Sequence, residues 1–358
     1  MKVNRVNNLL RNMENQGLEQ IIVTSSPDIF YLTGKWISTG ERMVALYLNK
    51  SGNHKFIVNK LFPIYEDLGV EIVWYTDLED SVKLLSTVVG KEKPLGVDKN
   101  WPSHFLIKLM EMKGAKTFVN SSPILDRLRM IKDEEEIQLM RKSSEINDKV
   151  MLDLWGSVKE GKTEKYYANL LVELYESYGV TQFSFGPIIA GCPNGADPHH
   201  GSGTDIIKKG QSIVMDIGGI YNYYCSDMTR TVFFGEAPNE RHEKIYNIVK
   251  QANLNAISKV KEGMKFSDID KAARDYIENA GYGEYFTHRT GHSIGIEDHD
   301  FGDVSSINHD EIKSGMIFSI EPGIYLKDDF GVRIEDLVLV TKDGCEVLNK
   351  VSKDITIL

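Results

Sequence analysis

The sequence contains little cysteine and no concentrated positive charge. Its three cysteines, Cys192, Cys225 and Cys345, include no CxxC pair, which argues against a disulfide framework and is typical of a reducing compartment. No block of Lys and Arg occurs, and the formal net charge is -10. Because duplex binding depends on clustered basic side chains, this composition argues against a nucleic-acid partner.

Long hydrophobic runs are also missing. No stretch approaches the roughly 18 apolar residues that a membrane span needs, so we expect no membrane association. The N-terminus, MKVNRVNNLLRNMENQGLEQ, has apolar residues at helical spacing but no continuous apolar core. A signal peptide would have such a core. The predicted location is therefore the cytoplasm.

The first 130 residues contain no Gly-rich phosphate loop and no group of histidines. In this region β-prone runs alternate with amphipathic stretches, which is typical of an α/β domain. The predicted strands are EQIIVTS, MVALYLN, KFIVNK, EIVWYTD, PLGVD and KTFVNSS, and the predicted helices cover residues 3–15, 80–89 and 104–112. We predict an α/β domain over residues 1–130, to which the sequence assigns no chemistry.

The second half opens on a long helical pattern, KDEEEIQLMRKSSEINDKVMLDLW. Acids at its start favour a helix N-terminus near Lys132, and apolar residues follow at helical spacing. The acids at 133–136 are predicted to form a solvated first turn. Further helical patterns cover residues 163–178, 240–263 and 267–281, with strands and hairpins around them. The prediction is an α+β domain over residues 131–358.

Two acids flank a short turn in VMDIGGIYNYYCSDMTRT. If the apolar runs on either side are arms of one hairpin, a turn centred between Tyr221 and Asn222 places Asp216 directly opposite Asp227. Opposed residues have Cβ atoms about 5 Å apart. Two carboxylates that close repel each other unless one is protonated or a cation lies between them.

The stretch FSIEPGIYLKDDFGVRIEDLVLV repeats this construction. A turn centred on Asp328 places Glu321 opposite Glu335. The alternative, that all four acids lie on solvated faces, conflicts with their strongly apolar neighbours. Arg230 and Arg333 are the only basic residues close by, so a divalent metal is the simplest source of compensating charge.

The segment HRTGHSIGIEDHD supplies three candidate histidines, His288, His292 and His299. His292 lies between Gly291 and Ser293, and these small neighbours allow a ligand sphere to approach closely. Four carboxylates with one histidine suit Mn²⁺, Co²⁺, Fe²⁺ or Zn²⁺ better than copper or a thiolate centre.

The motifs MDIGG, SDMTRT, TGHSIG, SIEPGIY and GVRIED stand in one order along the chain, preceded by PHH at 198–200. In this order and spacing the sequence resembles the pita-bread metallopeptidases, which include methionine aminopeptidase, aminopeptidase P and prolidase. The resemblance covers about residues 130–350. The first half, with phrases such as YLTGKW, resembles the creatinase-type N-terminal domain. The implied fold is an α/β domain followed by an α+β pita-bread catalytic domain with pseudo-twofold symmetry.

The resemblance implies two divalent metal ions, with manganese expected and cobalt, zinc or iron as alternatives. Asp216 would chelate one ion, Asp227 and Glu335 would bridge both, and His292 and Glu321 would hold the second.

The same resemblance implies the catalytic roles. Glu321 would take the proton of the metal-bound water and later deliver it to the leaving nitrogen, while His199 and His299 would contact the substrate. Arg333 is expected to orient the bridging carboxylates from behind. His200 receives no role, and Cys225 is expected to pack in the core.

The combination of domains implies peptide substrates with proline at the second position, and a homodimer. HDFGD at 299–303 resembles the HDxG of some aminopeptidase P sequences. Asp303 stands where some prolidases have an Arg that binds the carboxylate of a dipeptide. This favours an Xaa-Pro aminopeptidase, with an Xaa-Pro dipeptidase (prolidase) as the alternative. A metal-free creatinase-like hydrolase and a non-catalytic binding protein are remoter alternatives, because the five-ligand pattern is intact.

Overall fold

The computed structural model describes residues 1–358 as two compact units, Met1–Arg129 and Met130–Leu358. The first is an α/β unit, and the second combines two helix pairs with antiparallel hairpins. None of the helices combines the length and the apolar character that crossing a bilayer would require.

The first unit is built on one six-stranded sheet. Its strands are β1 (Gln20–Val23), β2 (Ala45–Asn49), β3 (Lys55–Asn59), β4 (Glu71–Tyr75), β5 (Pro94–Val97) and β6 (Thr117–Asn120). The sheet order is β4-β3-β2-β1-β5-β6. The pairs β1–β5, β5–β6 and β3–β4 are parallel, and β1–β2 and β2–β3 are antiparallel. All six predicted strands form.

Five helices flank this sheet: α1 (Val3–Asn15), α2 (Ser26–Thr33), α3 (Ser81–Val88), α4 (Ser103–Glu111) and α5 (Ser122–Met130). The three predicted helices correspond to α1, α3 and α4, whereas α2 and α5 were not predicted. Helix α2 is buried over most of its length and therefore lacks an amphipathic period. Its ends carry local signals instead, because Ser25 caps its start and Gly34, at φ 77°, ends it.

The four long helices of the second unit confirm the predicted pattern: α6 (Glu134–Gly156), α7 (Glu164–Ser177), α8 (Glu240–Lys259) and α9 (Phe266–Asn279). Asp133 and Glu136 form a reciprocal capping box at the start of α6. The prediction that all the acids here are solvated is wrong for Glu136, which is buried. Its carboxylate accepts hydrogen bonds from the Asp133 N–H and the Tyr224 hydroxyl, and these bonds compensate for its burial.

The strands of the second unit are β7 (Ile188–Gly191), β8 (Ser212–Ile217), β9 (Ile220–Tyr221), β10 (Tyr224–Cys225), β11 (Met228–Phe233), β12 (Gly291–His292), β13 (Asp303–Val304), β14 (Ile317–Ile320), β15 (Gly323–Leu326), β16 (Phe330–Arg333), β17 (Asp336–Val340) and β18 (Cys345–Val347). One three-stranded sheet has the order β11-β8-β7 and another has β14-β17-β18. Helices α6 and α7 share a core with the first sheet, and α8 and α9 share one with the second. Each half thus pairs two helices with one sheet, which is the predicted pseudo-twofold construction.

The register predicted for the first hairpin is wrong by one residue. The two turn residues with positive φ are Asn222 (47°) and Tyr223 (71°), as a type I′ turn requires at both of its central residues. Asp216 consequently pairs with Thr229 rather than with Asp227. Moving a turn centre by one residue changes each cross-strand partner by two, so the side-chain face is preserved. The two acids therefore share a face as diagonal neighbours.

The register predicted for the second hairpin is confirmed. Asp328 has φ 60° at the turn centre. The pair Ile320–Asp336 lies on one side of the two glutamates and the pair Gly323–Arg333 on the other. Glu321 and Glu335 are therefore opposite one another at the junction of two strand pairs.

Candidate metal centre

The centre is formed by side chains from both hairpins and from β12. Ligand atoms of Asp227, His292 and Glu335 all lie within 4.8 Å of one another. Nε2 of His292 is 3.6 Å from Oδ2 of Asp227 and 3.4 Å from Oε1 of Glu321. Asp216 joins the group on the same cavity wall. The structure thus brings together the five side chains that the sequence indicated.

Each ligand candidate lies at or beside the end of a strand. Asp216 is near the end of β8, and Asp227 directly precedes β11. Glu321 separates β14 from β15, and Glu335 separates β16 from β17. The strands are anchored in the core, so these carboxylates are held with little freedom.

The glycine before His292 allows strand β12 to approach β14. A Cβ atom at Gly291 would lie 1.9 Å from the backbone oxygen of Ser319, a distance that excludes any side chain. The Ser319 hydroxyl also accepts a hydrogen bond from the His292 N–H at 3.0 Å. The backbone that presents this imidazole is therefore fixed on both sides.

The electrostatics of this group of acids calls for a compensating positive charge. Oδ1 of Asp216, Oδ1 of Asp227 and Oε1 of Glu335 are buried without a hydrogen-bond partner. Burial, followed by repulsion from neighbouring acids, raises the pKa of Asp227 and of Glu335 well above their ordinary values. Burial raises the pKa of Glu321 to about 7. Burying several ionised carboxylates together lowers the stability of the folded state unless a cation compensates their negative charge.

The histidine of the centre is in the form that binds metals. Burial lowers the pKa of His292 to about 3, so its imidazole is neutral at physiological pH. Neutral imidazole and ionised carboxylates are the donors that divalent first-row metals accept. The orphaned oxygens and this donor set fit a divalent metal site.

Arg333 contacts Asp216 directly. Its Nη2 lies 2.7 Å from Oδ2 of Asp216, and its Nε donates to the Thr229 hydroxyl at 3.0 Å. That hydroxyl donates in turn to Oε2 of Glu335 at 2.7 Å. Arg333 therefore contacts Asp216, the predicted chelating acid, directly. It reaches Glu335, one of the two predicted bridging acids, through Thr229, and it makes no hydrogen bond with Asp227, the other. Sequence reasoning missed Thr229 because the one-residue register error hid its position opposite Asp216.

The centre lies in a cavity of about 720 Å³. All eight predicted site residues line it: His199, Asp216, Asp227, His292, His299, Glu321, Arg333 and Glu335. The His299 ring centroid is 4.0 Å from that of His292, and His199 is an exposed residue of the wall. Both histidines, His199 and His299, therefore face the cavity.

Sequence reasoning also missed Arg289, which lines this cavity. Its Nη2 is 3.4 Å from Nδ1 of His299. The only signal for it in the sequence is its place in HRTGHSIG, between two candidate histidines. Cys225 is buried with Sγ 3.6 Å from the Ile296 oxygen, in agreement with the predicted packing role.

Comparison with known proteins identifies the family. Residues 138–342 match metallopeptidase family M24, and residues 5–131 match the creatinase/prolidase N-terminal domain. This chain belongs to metallopeptidase family M24. The predicted family and fold class are thereby confirmed, since M24 proteins of this construction combine a creatinase-like domain with a pita-bread catalytic domain.

Similar proteins cover both units of this M24 chain. An uncharacterized peptidase of Staphylococcus aureus (strain bovine RF122 / ET3-1) is 36% identical over 358 residues, which are 98% of this chain and 99% of that protein. A prolidase from Thermococcus sibiricus has 35% identity and a TM-score of 0.95, covering 100% of this chain and 99% of that one. A dipeptidase from Pyrococcus horikoshii OT3 has 34% identity and a TM-score of 0.93, covering 99% and 100%. An X-Pro aminopeptidase from Thermotoga maritima MSB8 has 27% identity and a TM-score of 0.84, covering 97% and 100%.

Proposed function

We propose that this M24 peptidase is a dinuclear-metal enzyme that hydrolyses Xaa-Pro peptide bonds. The observation that carries the proposal is the meeting of three orphaned carboxylate oxygens with a neutral His292 at the wall of an open cavity. When bound, a metal pair polarises the peptide carbonyl and lowers the pKa of water.

The proposed ligands divide between two ions. Asp216 would hold one ion, His292 and Glu321 would hold the other, and Asp227 and Glu335 would serve both. The oxygen-rich set supports manganese as the native metal, with cobalt, zinc or iron as the alternatives to be tested.

Glu321 is the proposed proton carrier. The attacking water loses a proton as its oxygen bonds to the carbonyl carbon, and the proline nitrogen needs one when the C–N bond breaks. Oε1 of Glu321 accepts a hydrogen bond from the Ser319 hydroxyl at 3.2 Å, which fixes its orientation. His199 and His299 are proposed to stabilise the charge that develops on the carbonyl oxygen.

Arg289 supports dipeptides as the preferred substrates. Its guanidinium lines the cavity and has no ion pair with a carboxylate, whereas that of Arg333 is paired with Asp216. Asp303, expected to repel the free carboxylate of a dipeptide, lines a neighbouring pocket and not this one. A prolidase and a dipeptidase are also among the structures most similar to this chain.

The second candidate is the Xaa-Pro aminopeptidase that the sequence favours. The HDFGD segment supports it, as does the likeness to the X-Pro aminopeptidase of Thermotoga maritima. Such an enzyme would accept longer peptides, in which the residue after proline carries no free carboxylate.

One set of assays tests both proposals. The protein is loaded separately with Mn²⁺, Co²⁺, Zn²⁺ and Fe²⁺ and offered Ala-Pro, its C-terminal amide and a longer Ala-Pro peptide, with Pro-Ala as the control. We expect hydrolysis of Ala-Pro, slower hydrolysis of the amide and none of Pro-Ala. Failure to cleave any Xaa-Pro bond with all four metals would refute the proposed function, and preference for the longer peptide would favour the second candidate.

A further inference from the structure

A buried carboxylate lies behind the segment that carries His199. Glu164 is the first residue of helix α7, and its side chain is fully buried. Four donors surround its two oxygens: the Gly191 N–H at 2.9 Å and the Asn194 amide at 3.0 Å from Oε1, and the Gly203 N–H at 2.9 Å and His200 Nε2 at 2.7 Å from Oε2. A carboxylate accepts about four hydrogen bonds, so this side chain is saturated.

These donors lie at the two ends of one loop. We call residues 192–202, between Gly191 and Gly203, the His199 loop. Oε1 of Glu164 holds its beginning and Oε2 holds its end. A single side chain therefore closes the loop, which is a stronger constraint than four bonds spread over separate residues.

The two histidines in this loop face different surroundings. His200 is turned towards Glu164, and its side chain is only 19% exposed. His199 is exposed and lines the cavity. On the cavity side, Arg333 donates to the Pro198 oxygen at 3.3 Å. The loop is thus held from behind by Glu164 and from the front by an arginine of the metal centre.

We propose that Glu164 is a positioning residue for His199. It fixes the His199 loop, so that the loop does not have to become ordered before the imidazole of His199 can contact the reacting carbonyl. The inference rests on the proposed function for the role of His199, but the contacts of Glu164 stand independently of it. The site at the N-terminus of α7 suits an ionised acid because the helix dipole stabilises negative charge there.

Glu164→Gln is the main test. The amide keeps the shape, but it offers one acceptor atom and turns an NH₂ group towards two donors. We expect kcat for Ala-Pro to fall on the order of 10- to 100-fold, as for other small misplacements of a catalytic group. Metal stoichiometry should not change, since none of the proposed ligands lies in the loop. Glu173→Gln, an exposed acid on the same helix, is the matched control and should leave kcat unchanged.

A double-mutant cycle separates positioning from general damage. If Glu164 acts through His199, Glu164→Gln should add less than a roughly twofold effect once His199→Ala is present. The same loss of kcat in both backgrounds, or no loss in the single variant, would overturn the proposal. If Glu164→Gln fails to fold, His200→Ala replaces it, because this substitution removes only one of the four donors. His200→Ala is then combined with His199→Ala in the same double-mutant cycle, and the same results support or overturn the proposal.

A second readout does not need turnover. In zinc-loaded protein, the imidazole ¹³C–¹H signal of His199 should broaden or split in Glu164→Gln, while that of the exposed His309 should stay as it is. An unchanged His199 signal would refute the positioning role. If the wild-type protein cleaves no Xaa-Pro peptide but Glu164→Gln shows this spectral change, the proposed function is refuted while the positioning of His199 by Glu164 stands.

Discussion

Individual residues of the centre are kept in an unfavourable state. Asp227 and Glu335 are buried, repel one another and leave one oxygen each unbonded. A core selected for stability alone would exclude such groups. Their presence at the cavity wall is explained by a cation that binds them, and the first prediction tests that explanation.

Asp227→Asn should lose metal and activity together. The amide removes the charge and half of the acceptor capacity at a position we propose to be shared by two ions. Metal content by mass spectrometry and hydrolysis of Ala-Pro measure the two effects. Asp343→Asn, at an exposed turn, is the control, and a fully active Asp227→Asn protein would contradict the shared role.

His299→Ala should slow turnover while metal occupancy stays intact. Its ring lies 4.0 Å from that of His292, tilted by 52°, and is not among the proposed ligands. Removal of one donor to a developing oxyanion lowers kcat by roughly 100-fold. Parallel measurement of kcat and of bound metal checks this prediction, and unchanged turnover would exclude the substrate contact.

Asp148, which lies outside the metal centre, makes the free energy of unfolding depend on pH. Burial raises its pKa from 3.8 to about 6, so the folded state binds its proton more tightly than the unfolded state does. The contribution of Asp148 to the free energy of unfolding is therefore largest below its ordinary pKa and is lost as pH rises through about 6.

Asp148→Asn should abolish this fall. The amide oxygen can still accept the Lys350 N–H, which lies 2.7 Å from Oδ2 in the wild type. Asp148 is buried, and its Oδ1 has no hydrogen-bond partner, so we expect a gain of about 1 kcal/mol or more in the free energy of unfolding at about pH 7.5, and none at about pH 3.5. Urea unfolding at both pH values measures it, and an equal gain at both would show that the charge is not responsible.

At the level of secondary structure, close backbone contacts hold the hairpins and loops together. Strand β16 passes the His199 loop so closely that a Cβ atom at Gly331 would lie 1.7 Å from the Gly195 oxygen. The turn of the second hairpin and the wall of the cavity are therefore coupled through backbone atoms, which cannot yield as a flexible side chain would.

Gly331→Ala should consequently destabilise the protein by about 2 kcal/mol or more, because strand or loop must move. Gly344→Ala is the matched control, since an added Cβ there meets nothing within 4 Å. Thermal unfolding of the two variants compares them, and equal midpoints would contradict the close packing.

The sequence predicted which acids of the hairpins meet more accurately than how they pair. Asp216 and Asp227 share a face, as expected, because that depends only on the period of two along a strand. Their predicted direct opposition failed because the turn used Asn222 and Tyr223, and Tyr223 gives no strong signal for positive φ. The second hairpin was predicted correctly, since Asp328 accepts that conformation readily.

Residues that act through tertiary contacts gave no such signal. Glu164 reads as an ordinary acid at a helix start, and its four donors come from residues 27 to 39 positions away. Thr229 and Arg289 also owe their places to the meeting of separate strands. The sequence pattern therefore predicted which side chains gather at the cavity, but not which residues hold them in place.

For the whole molecule, the resemblance to Xaa-Pro peptidases predicts a homodimer. Sedimentation equilibrium should give twice the chain mass of 40.5 kDa. The measurement should be repeated over a range of protein concentrations to separate a stable dimer from weak association. A monomer at every concentration would contradict the prediction.

The order of the proposed ligands along the chain determines when the molecule can become active during its synthesis. Asp216 emerges first and Glu335 last, and the buried Arg230 that donates to the Glu335 oxygen also needs the Val351 oxygen. A growing polypeptide therefore carries an incomplete set of donors until translation has passed these positions. The proposed metal centre can therefore assemble only when nearly the whole chain has been made.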